Sequence, residues 1–327
     1  MAKRNAVYLH TQQRDRIRQL SRTWLWRSEL PTWIVIVAVY GGWSGTLACW
    51  QTLGLLPATL LLIVFTAWYM SVQHELIHGH PTRFPSINQL LGLMPLAVWY
   101  PYAVYRDSHL AHHRTQRLTL PEDDPESYYF SDRSWQRFSP WQRKLIQLRN
   151  TFPGRLLLGP LLDILQVLGG MIAAFRQGER RAITVWIVHF MLLALMFSWL
   201  VQHDFSILYY LGAVSYPALA LTKVRSFLEH RAAEDPQARS VINEAALPWR
   251  VLFLNLNYHS VHHDLPGVPW YALPNIYRRD RAEYQRRNHG FLVRGYGEWL
   301  RHFLCRSVEV NVHPGFDEPH GGRLHNE

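Results

Sequence analysis

Three histidine clusters are the strongest candidates for chemistry in this 327-residue chain. On a helix, residues i, i+3 and i+4 share one face, so each cluster can present two imidazoles to one metal ion. In an HxxHH cluster, the adjacent third histidine then points toward a second ion. Neutral imidazole is a good ligand for iron, zinc and copper. The clusters are His74-Glu-Leu-Ile-His78-Gly-His80, His109-Leu-Ala-His112-His113 and His259-Ser-Val-His262-His263.

His230 is a further ligand candidate because it lies eight residues beyond the last long apolar stretch, which ends at residue 222. With the clusters it gives more imidazoles than one ion can use, which favours two ions. His80 is either a metal ligand or a hydrogen-bond donor to a ligand, since Gly79 interrupts the helix there. The isolated histidines are interpreted as surface or core residues: His10, His189, His203, His289, His302, His320 and His325.

Two other metal sites compete for part of this pattern. His74-Glu75-Leu-Ile-His78 matches HExxH, which in zinc peptidases supplies two ligands and a glutamate base. That site needs one further ligand and leaves both HxxHH clusters without a role. A soluble carboxylate-type di-iron site needs two Glu-x-x-His repeats and two more glutamates, and only Glu75-x-x-His78 fits. The histidine-rich site with two metals is therefore preferred.

Several acidic residues are candidates to accept a hydrogen bond from the second nitrogen of a ligating imidazole. Such acceptors fix the orientation of a metal-bound histidine. Glu229 and Asp264 are preferred because they are adjacent to His230 and His263. The other candidates, for which a solvated role is the alternative, are Glu75, Asp107, Asp123 and Asp124.

The elements that position these histidines follow from the distribution of charge. Seven Lys and Arg residues fall in 1–30, thirteen in 73–181 and fourteen in 223–327, whereas 31–72 and 182–222 contain none. A membrane-spanning helix needs about 20 apolar residues. Each uncharged stretch therefore predicts a hairpin of two spans, at 31–50 and 53–72, then at 183–201 and 206–222.

These stretches predict an all-α integral membrane protein with a single domain, four spans in two hairpins and a helical cap that carries the histidines. Because basic residues favour the cytosolic side, both termini, 73–181 and 223–327 are expected in the cytosol. Pro95 and Pro101 interrupt the apolar segment 86–105, which is expected to dip into the membrane and return. Residues 154–175 are expected to lie on the membrane surface as an amphipathic helix.

The net charge of +10 is explained by basic flanks facing anionic lipids, or by a redox partner with an acidic face. No nucleic-acid-binding motif is found. Cys49 and Cys305 fall on opposite sides of the predicted membrane, so no disulfide is expected. The tail from about residue 307 is expected to be loosely ordered. Its His313-Pro-Gly-Phe is similar to part of a haem-binding motif, but no cytochrome-sized domain surrounds it.

The HxxxH, HxxHH and HxxHH clusters, placed in this order around two apolar hairpins, resemble the histidine boxes of the membrane fatty acid desaturase superfamily. The resemblance covers roughly residues 31–275. It implies a di-iron centre whose ligands are His74, His78, His109, His112, His113, His230, His259, His262 and His263. The family also places an asparagine near the third box, in some cases linked to iron through water, and Asn257 or Asn255 is in that position.

The resemblance further implies oxygen-dependent desaturation of an acyl chain or acyl-like substrate in the inner (plasma) membrane. Two irons and O2 are the implied cofactor and co-substrate. The electrons would come from an external ferredoxin- or cytochrome-like donor with its reductase. Around His230 and the third box, the chain is most similar to a bacterial branch that also resembles dihydrorhizobitoxine desaturase, which acts on a small amino-acid-derived compound. Hydroxylation uses the same ligands and remains an alternative.

Overall fold

The computed structural model describes residues 6–115, 117–308 and 311–314. This part of the chain is almost entirely helical. Its one sheet is a pair of two-residue parallel strands, β1 (Ile242–Asn243) and β2 (Leu292–Val293). Five helices within the described residues are long and apolar enough to cross a membrane. The all-α part of the predicted fold class is therefore confirmed, whereas the number of candidate spans exceeds the predicted four by one.

The first predicted hairpin consists of helices α3 (Leu30–Ala48) and α5 (Leu55–Ile77), joined by the short α4 (Trp50–Leu53). The two long helices pack closely. A Cβ at Gly42 would overlap the Phe65 ring, so only glycine allows this approach. Helix α5 extends five residues past the predicted end of the span at residue 72. This extension carries the first histidine cluster out of the apolar segment without a break.

The second predicted hairpin consists of α11 (Arg180–Gln202) and a helix in three parts: α12 (Ile207–Tyr209), a π-helical segment (Tyr210–Ser215) and α13 (Tyr216–Ser226). Pro217 follows the π segment. Because proline has no N–H to donate, the hydrogen-bond ladder is interrupted at this point. The two hairpins meet at their turns, where the Trp50 indole donates to the His203 carbonyl over 2.7 Å.

Helix α10 (Phe152–Arg176) is the fifth helix that meets the length and hydropathy criteria. It covers the segment 154–175, which the sequence predicted to lie on the membrane surface. At its start, the Phe152 ring packs edge-on against Phe227, just beyond α13, at 5.1 Å between centroids. Shortly after its end, Arg181 donates to Asp107 over 2.6 Å. The start of α10 therefore lies close to the segment that carries His230, and the start of α11 lies beside α7.

The apolar segment 86–105 is not one continuous helix, as its prolines predicted. Helix α6 (Pro85–Gly92) and α7 (Tyr102–Arg114) are separated by irregular backbone. Side chains of three apolar helices form hydrogen bonds with backbone carbonyls of this stretch. Irregular backbone buried within a membrane protein requires such partners. The bonds run from Tyr69 to Gly92, from Tyr210 to Leu96, from Ser215 to Ala97 and from His189 to Val98.

The remaining helices are short and form a cap, most of which packs in two further cores; the first of these includes Val261 of the third histidine cluster. One cap core contains the buried Ile242, Tyr258, Tyr277 and Tyr284, and a second contains Phe227 and Phe253. Helix α1 joins the first of these cores through Gln13, whose amide donates to Asp280. The cap helices are α1 (Thr11–Leu20), α2 (Trp24–Ser28), α8 (Asp132–Arg137), α9 (Pro140–Arg149), α14 (Leu247–Leu252), α15 (His259–Asp264), α16 (Leu273–Arg279), α17 (Arg281–Arg287) and α18 (Tyr296–Phe303), with a 3-10 turn at Pro236–Arg239.

Candidate metal centre

Four elements carry the predicted metal ligands. The last turn of α5 supplies His74 and its C-cap supplies His78. Helix α7 supplies the second cluster and α15 the third. His230 follows α13 in extended backbone, which pairs with Ser240 in an antiparallel bridge.

The structure brings all nine predicted ligands together in two groups. Within each group, one nitrogen from every histidine lies within 4.8 Å of the others. In both HxxHH helices, the residues at i and i+4 join one group and the residue at i+3 joins the other. The first group is His74, His78, His109, His113 and His262, and the second is His112, His230, His259 and His263.

Nitrogen–nitrogen distances in the first group match those expected around a single ion. The Nε2 atoms of His78 and His109 are 3.1 Å apart, and those of His113 and His262 are 3.2 Å apart. Two nitrogens at about 2.1 Å from one ion are about 3 Å apart when they subtend a right angle.

The second group has the same geometry. The Nε2 atom of His259 lies 2.9 Å from that of His230 and 3.1 Å from that of His263. The Nε2 atom of His112 lies 3.3 Å from that of His263. These atoms converge on one region rather than forming separate pairs, which is the arrangement a bound ion requires.

Unsatisfied nitrogens within the groups also fit a metal. Neither ring nitrogen of the buried His74 has a hydrogen-bond partner, and Nδ1 of His113 has none either. Leaving buried polar atoms unpaired is costly, so such atoms need a ligand to account for them. A metal ion would pair with one nitrogen of the His74 ring. In His113 the Nε2 atom already faces the first group, so its Nδ1 atom is left to carry the proton.

The protonation of the groups favours metal binding, because only the neutral imidazole donates a lone pair to a metal. Burial, followed by repulsion from neighbouring groups, lowers the pKa of six histidines that lie outside the apolar helices. For His230, burial and then His112 lower the pKa to about 3. The other histidines lowered in this way are His78, His113, His259, His262 and His263.

Two carboxylates of the acidic loop, residues 119–127, fix imidazoles on α7. Asp124 lies 2.7 Å from Nδ1 of His112, and Glu126 lies 3.1 Å from Nδ1 of His109. Because each carboxylate engages Nδ1, the Nε2 lone pair is left for a metal. Burial lowers the pKa of His112, but Glu126 and Asp124 outweigh it and raise the pKa overall. The same negative charges would stabilise a bound cation.

Glu126 was not among the candidates taken from the sequence, although Asp124 was. Burial raises the pKa of Glu126, but attraction to His109 and His112 outweighs it and holds the pKa below its usual range. Glu126 is therefore a carboxylate facing the site. The signal for it was its position two residues after Asp124, in the acidic run that follows the second cluster.

The two preferred acidic candidates have basic partners. Glu229 accepts a hydrogen bond from Arg225 over 2.6 Å and lies 3.5 Å from Nδ1 of His259, which is longer than a strong ion-pair hydrogen bond. Asp264 accepts a hydrogen bond from Arg287 over 2.8 Å. Glu229 is thus oriented by Arg225 beside the second group, while Asp264 anchors α17.

The other acidic candidates near the boxes accept a hydrogen bond from the backbone or form salt bridges with arginines. Glu75 lies 3.7 Å from Nδ1 of His74, and its other oxygen accepts the Trp270 backbone N–H over 3.1 Å. Asp107 and Asp123 pair with arginines, at 2.9 Å to Arg106 and 3.3 Å to Arg117.

The two asparagines near the third box lie in the backbone that leads into α15. The Asn257 amide donates to the Asn243 carbonyl, and its side-chain oxygen is buried without a hydrogen-bond partner. Asn255 accepts from Arg250 and donates to the Trp270 carbonyl. Of the two, Asn257 has the acceptor that a nearby water or ion would satisfy.

His80 stands apart from both groups. Its Nδ1 lies 2.8 Å from Glu29, which is itself buried and bonded to Thr32. His80 therefore ties the first box to the start of α3. Two isolated histidines have local roles as well, since His189 bonds to the Val98 carbonyl and His203 to that of Trp199.

A cavity of about 560 Å³ opens onto both histidine groups, which is within the usual size range of small-molecule sites. His74 and His109 line it from the first group, and His230 and His259 from the second. Apolar side chains from α10 and α13 form one side, including Leu162, Val167 and Leu219. The acidic loop also lines the cavity, through Glu122, Asp124, Glu126 and Ser127.

The family model described as Fatty acid desaturase matches residues 50–295, which is more than half of the chain and includes all nine clustered histidines. No curated protein matches the chain significantly.

Proposed function

The chain belongs to the fatty acid desaturase family, and from this we propose that it is an oxygen-dependent di-iron oxidoreductase that introduces a double bond into an acyl chain or acyl-like substrate. The observation that carries the proposal is the division of nine buried or half-buried imidazoles into two adjacent groups. Two groups of nitrogen ligands, each converging on one region, match two irons better than any site with a single ion.

When bound, the two irons would supply the oxidising power that removes hydrogen from an unactivated C–H bond, with O2 as co-substrate. The chain's own part is to hold, orient and shield. Asp124 and Glu126 fix the rings of His112 and His109 through Nδ1, and Arg225 orients Glu229 beside His259. Both groups line the cavity, which would hold the substrate carbon beside them.

The cavity supports an amphipathic substrate. Its apolar side, from α10 and α13, suits an alkyl segment that enters from the membrane. Its charged side chains form pairs, Lys223 with Asp163 and Arg225 with Glu229. This charged lining supports a small amino-acid-derived substrate as a second candidate. Hydroxylation of either substrate uses the same ligands.

For the topology we propose an inner membrane protein with four spans. Helix α10 lies on the membrane surface, and both termini and all histidine boxes lie in the cytosol. The support is that the start of α10 packs against Phe227 of the second cap core and that residues 31–72 and 182–222 lack Lys and Arg. In addition, Arg181, just after α10, bonds to Asp107 of α7. Two electrons per turnover would come from a ferredoxin- or cytochrome-like donor and its reductase. The basic cap suits a donor with an acidic face.

The zinc-peptidase alternative is less well supported by the geometry. In that mechanism the HExxH glutamate must reach a metal-bound water. Glu75 is 2% exposed, accepts the Trp270 N–H and does not line the 560 Å³ cavity. The alternative also leaves the second histidine group without a role.

The test of this function is mass spectrometry of lipids and small polar metabolites from cells with and without the gene, grown under ¹⁸O₂. Desaturation gives a product that lacks two hydrogens and carries no label, whereas hydroxylation gives a product with one ¹⁸O. The His112→Ala variant is the matched inactive control. If wild-type and variant cells have identical profiles under iron-replete conditions with a donor present, the proposal is wrong.

A further inference from the structure

The C-terminal strap, residues 311–314, packs against the acidic loop and its continuation. The sequence predicted a loosely ordered tail from about residue 307. Residues 311–314 of that tail have defined hydrogen-bond partners, whereas residues 309, 310 and 315–327 lie outside the described residues. The Asn311 carbonyl accepts the Phe130 N–H over 2.9 Å, and the His313 N–H donates to the Phe130 carbonyl over 3.0 Å. Both the N–H and the carbonyl of Phe130 are thus hydrogen-bonded to the strap.

A second contact fixes the strap to the end of α9. The Asn150 side-chain amide donates to the Asn311 side chain over 2.8 Å, and the Val308 N–H donates to the Asn150 carbonyl over 3.0 Å. The strap is therefore held at two points, which distinguishes it from a tail that merely touches the surface.

The strap inserts one side chain into the protein. His313 is 2% exposed, and its Nε2 lies 2.8 Å from the Thr119 hydroxyl. That hydroxyl donates its single proton to the Leu118 carbonyl, so it must accept from His313. His313 therefore carries its proton on Nε2 and acts as the donor.

Thr119 begins the acidic loop in an unfavourable conformation. Its φ is 71°, in the left-handed region that β-branched residues rarely adopt. Such a conformation persists only when its surroundings over-determine it. The hydrogen bond from His313 is one of the contacts that hold Thr119 in place.

Thr119 in turn holds a carboxylate of the metal centre. Its N–H donates to Asp124 over 2.8 Å, and the other Asp124 oxygen lies 2.7 Å from Nδ1 of His112. A continuous series of hydrogen bonds thus links the strap to the second histidine group, through His313, Thr119, Asp124 and His112.

We propose that the C-terminal strap is a positioning element of the metal centre, in which His313 holds Thr119 so that Asp124 orients His112. The proposal rests on the proposed di-iron function. It predicts that loss of the His313 bond weakens metal binding in the second group, which contains His112, more than in the first.

The test compares His313→Ala with His313→Gln, whose side-chain amide can still donate to Thr119, and with the exposed His302→Ala as a control. Purified full-length protein is loaded with ⁵⁷Fe²⁺. Iron release to a chelator and the Mössbauer spectrum, which distinguishes inequivalent irons, are measured together with the thermal melting curve. Loss of a group behind a metal ligand typically costs 10–100-fold in affinity. His313 acts on His112 only through Thr119 and Asp124. We therefore expect iron release about tenfold faster than in the wild type, at the lower end of that range.

The expected result is fast release of one of two irons in His313→Ala, a spectral change confined to that iron, and recovery in His313→Gln. His302→Ala should match the wild type. Equal release from both sites, or two irons released as slowly as in the wild type, would overturn the proposal. If His313→Ala does not fold, Thr119→Val and Thr119→Ser provide the same comparison at the other end of the bond. A wild-type protein that binds no iron would refute the di-iron function instead, so the two failures are distinguishable.

Discussion

Individual imidazoles in the two groups are fixed by different contacts. His112 and His109 have carboxylates on Nδ1, whereas neither nitrogen of His74 is hydrogen-bonded. His74 is instead held by its place in the last turn of α5 and by the packing of neighbouring rings, with His109 at 4.5 Å between centroids. Because orientation arises from carboxylates in some positions and from packing in others, substitutions should have graded effects.

At this scale, removal of one imidazole from either group should abolish turnover. His262→Ala removes a ligand from the first group and His112→Ala one from the second. Both variants should insert normally, because the apolar helices are untouched, but should contain less iron. The check is iron analysis alongside product yield, with His203→Ala as the control. If all three histidines of either HxxHH cluster can be replaced and turnover persists, the assignment of nine ligands is wrong.

A milder effect is expected for Glu126→Gln. This change keeps the shape of the side chain but removes the charge that faces His109 and His112. Iron release from the first group should accelerate about 10-fold or more, as for other groups behind a metal ligand. Release to a chelator is the measurement, and the exposed Glu122→Gln in the same loop is the control. Indistinguishable rates for the two variants would show that Glu126 does not support His109.

Among the elements, α7 and α15 have the greatest influence on the site, because each contributes to both groups. In each helix, the i and i+4 imidazoles face one group and the i+3 imidazole faces the other. A small rotation of either helix would therefore disturb both groups together. Helix α10 has a different role, since its apolar side chains line the cavity and its start packs against the second cap core.

If α10 lies on the membrane surface, the chain before and after it should be on the same side. In a background with Cys49 and Cys305 replaced by Ser, Lys144→Cys and Gln177→Cys should react with a membrane-impermeant maleimide from the same face. Gln51→Cys, in the turn between α3 and α5, should react only from the opposite face. All three positions are exposed. Labelling of residues 144 and 177 from opposite faces would establish α10 as a fifth span.

In the molecule as a whole, the metal centre would join the membrane helices to the cap. Its nine candidate ligands come from α5, α7, the segment after α13 and α15. A ligand that binds only the folded state stabilises that state by RT ln(1 + [L]/Kd). This is about 4 kcal/mol when the free ligand concentration is a thousand times Kd. Bound iron should therefore contribute to the stability of the cap as well as to catalysis.

Removal of iron should lower the thermal stability and abolish turnover together. Treatment with a strong chelator should reduce Tm by several degrees, and Fe²⁺ should restore both Tm and activity, with roughly two irons bound per chain. Zn²⁺ should restore part of the stability but no oxidation, because it has no redox chemistry. One bound zinc, with activity restored by zinc, would instead favour the HExxH peptidase.

The sequence alone determined which residues are ligand candidates and which segments are apolar. Both properties are local, since HxxHH spacing follows from 3.6 residues per turn and the hairpins follow from runs without charge. These features led to all nine histidines that the structure brings together and to the all-α fold, while the bound metal remains a proposal.

Tertiary structure alone decided how those residues are combined. The five-and-four division brings His112 beside His263, 151 positions away, and no local pattern specifies such a distance. Glu126 entered the site because the acidic loop folds back over α7, and His313 because the strap pairs with Phe130. The position of α10 depends on tertiary contacts such as that of Phe152 with Phe227 rather than on its composition, since its length and apolarity suit both a span and a surface helix.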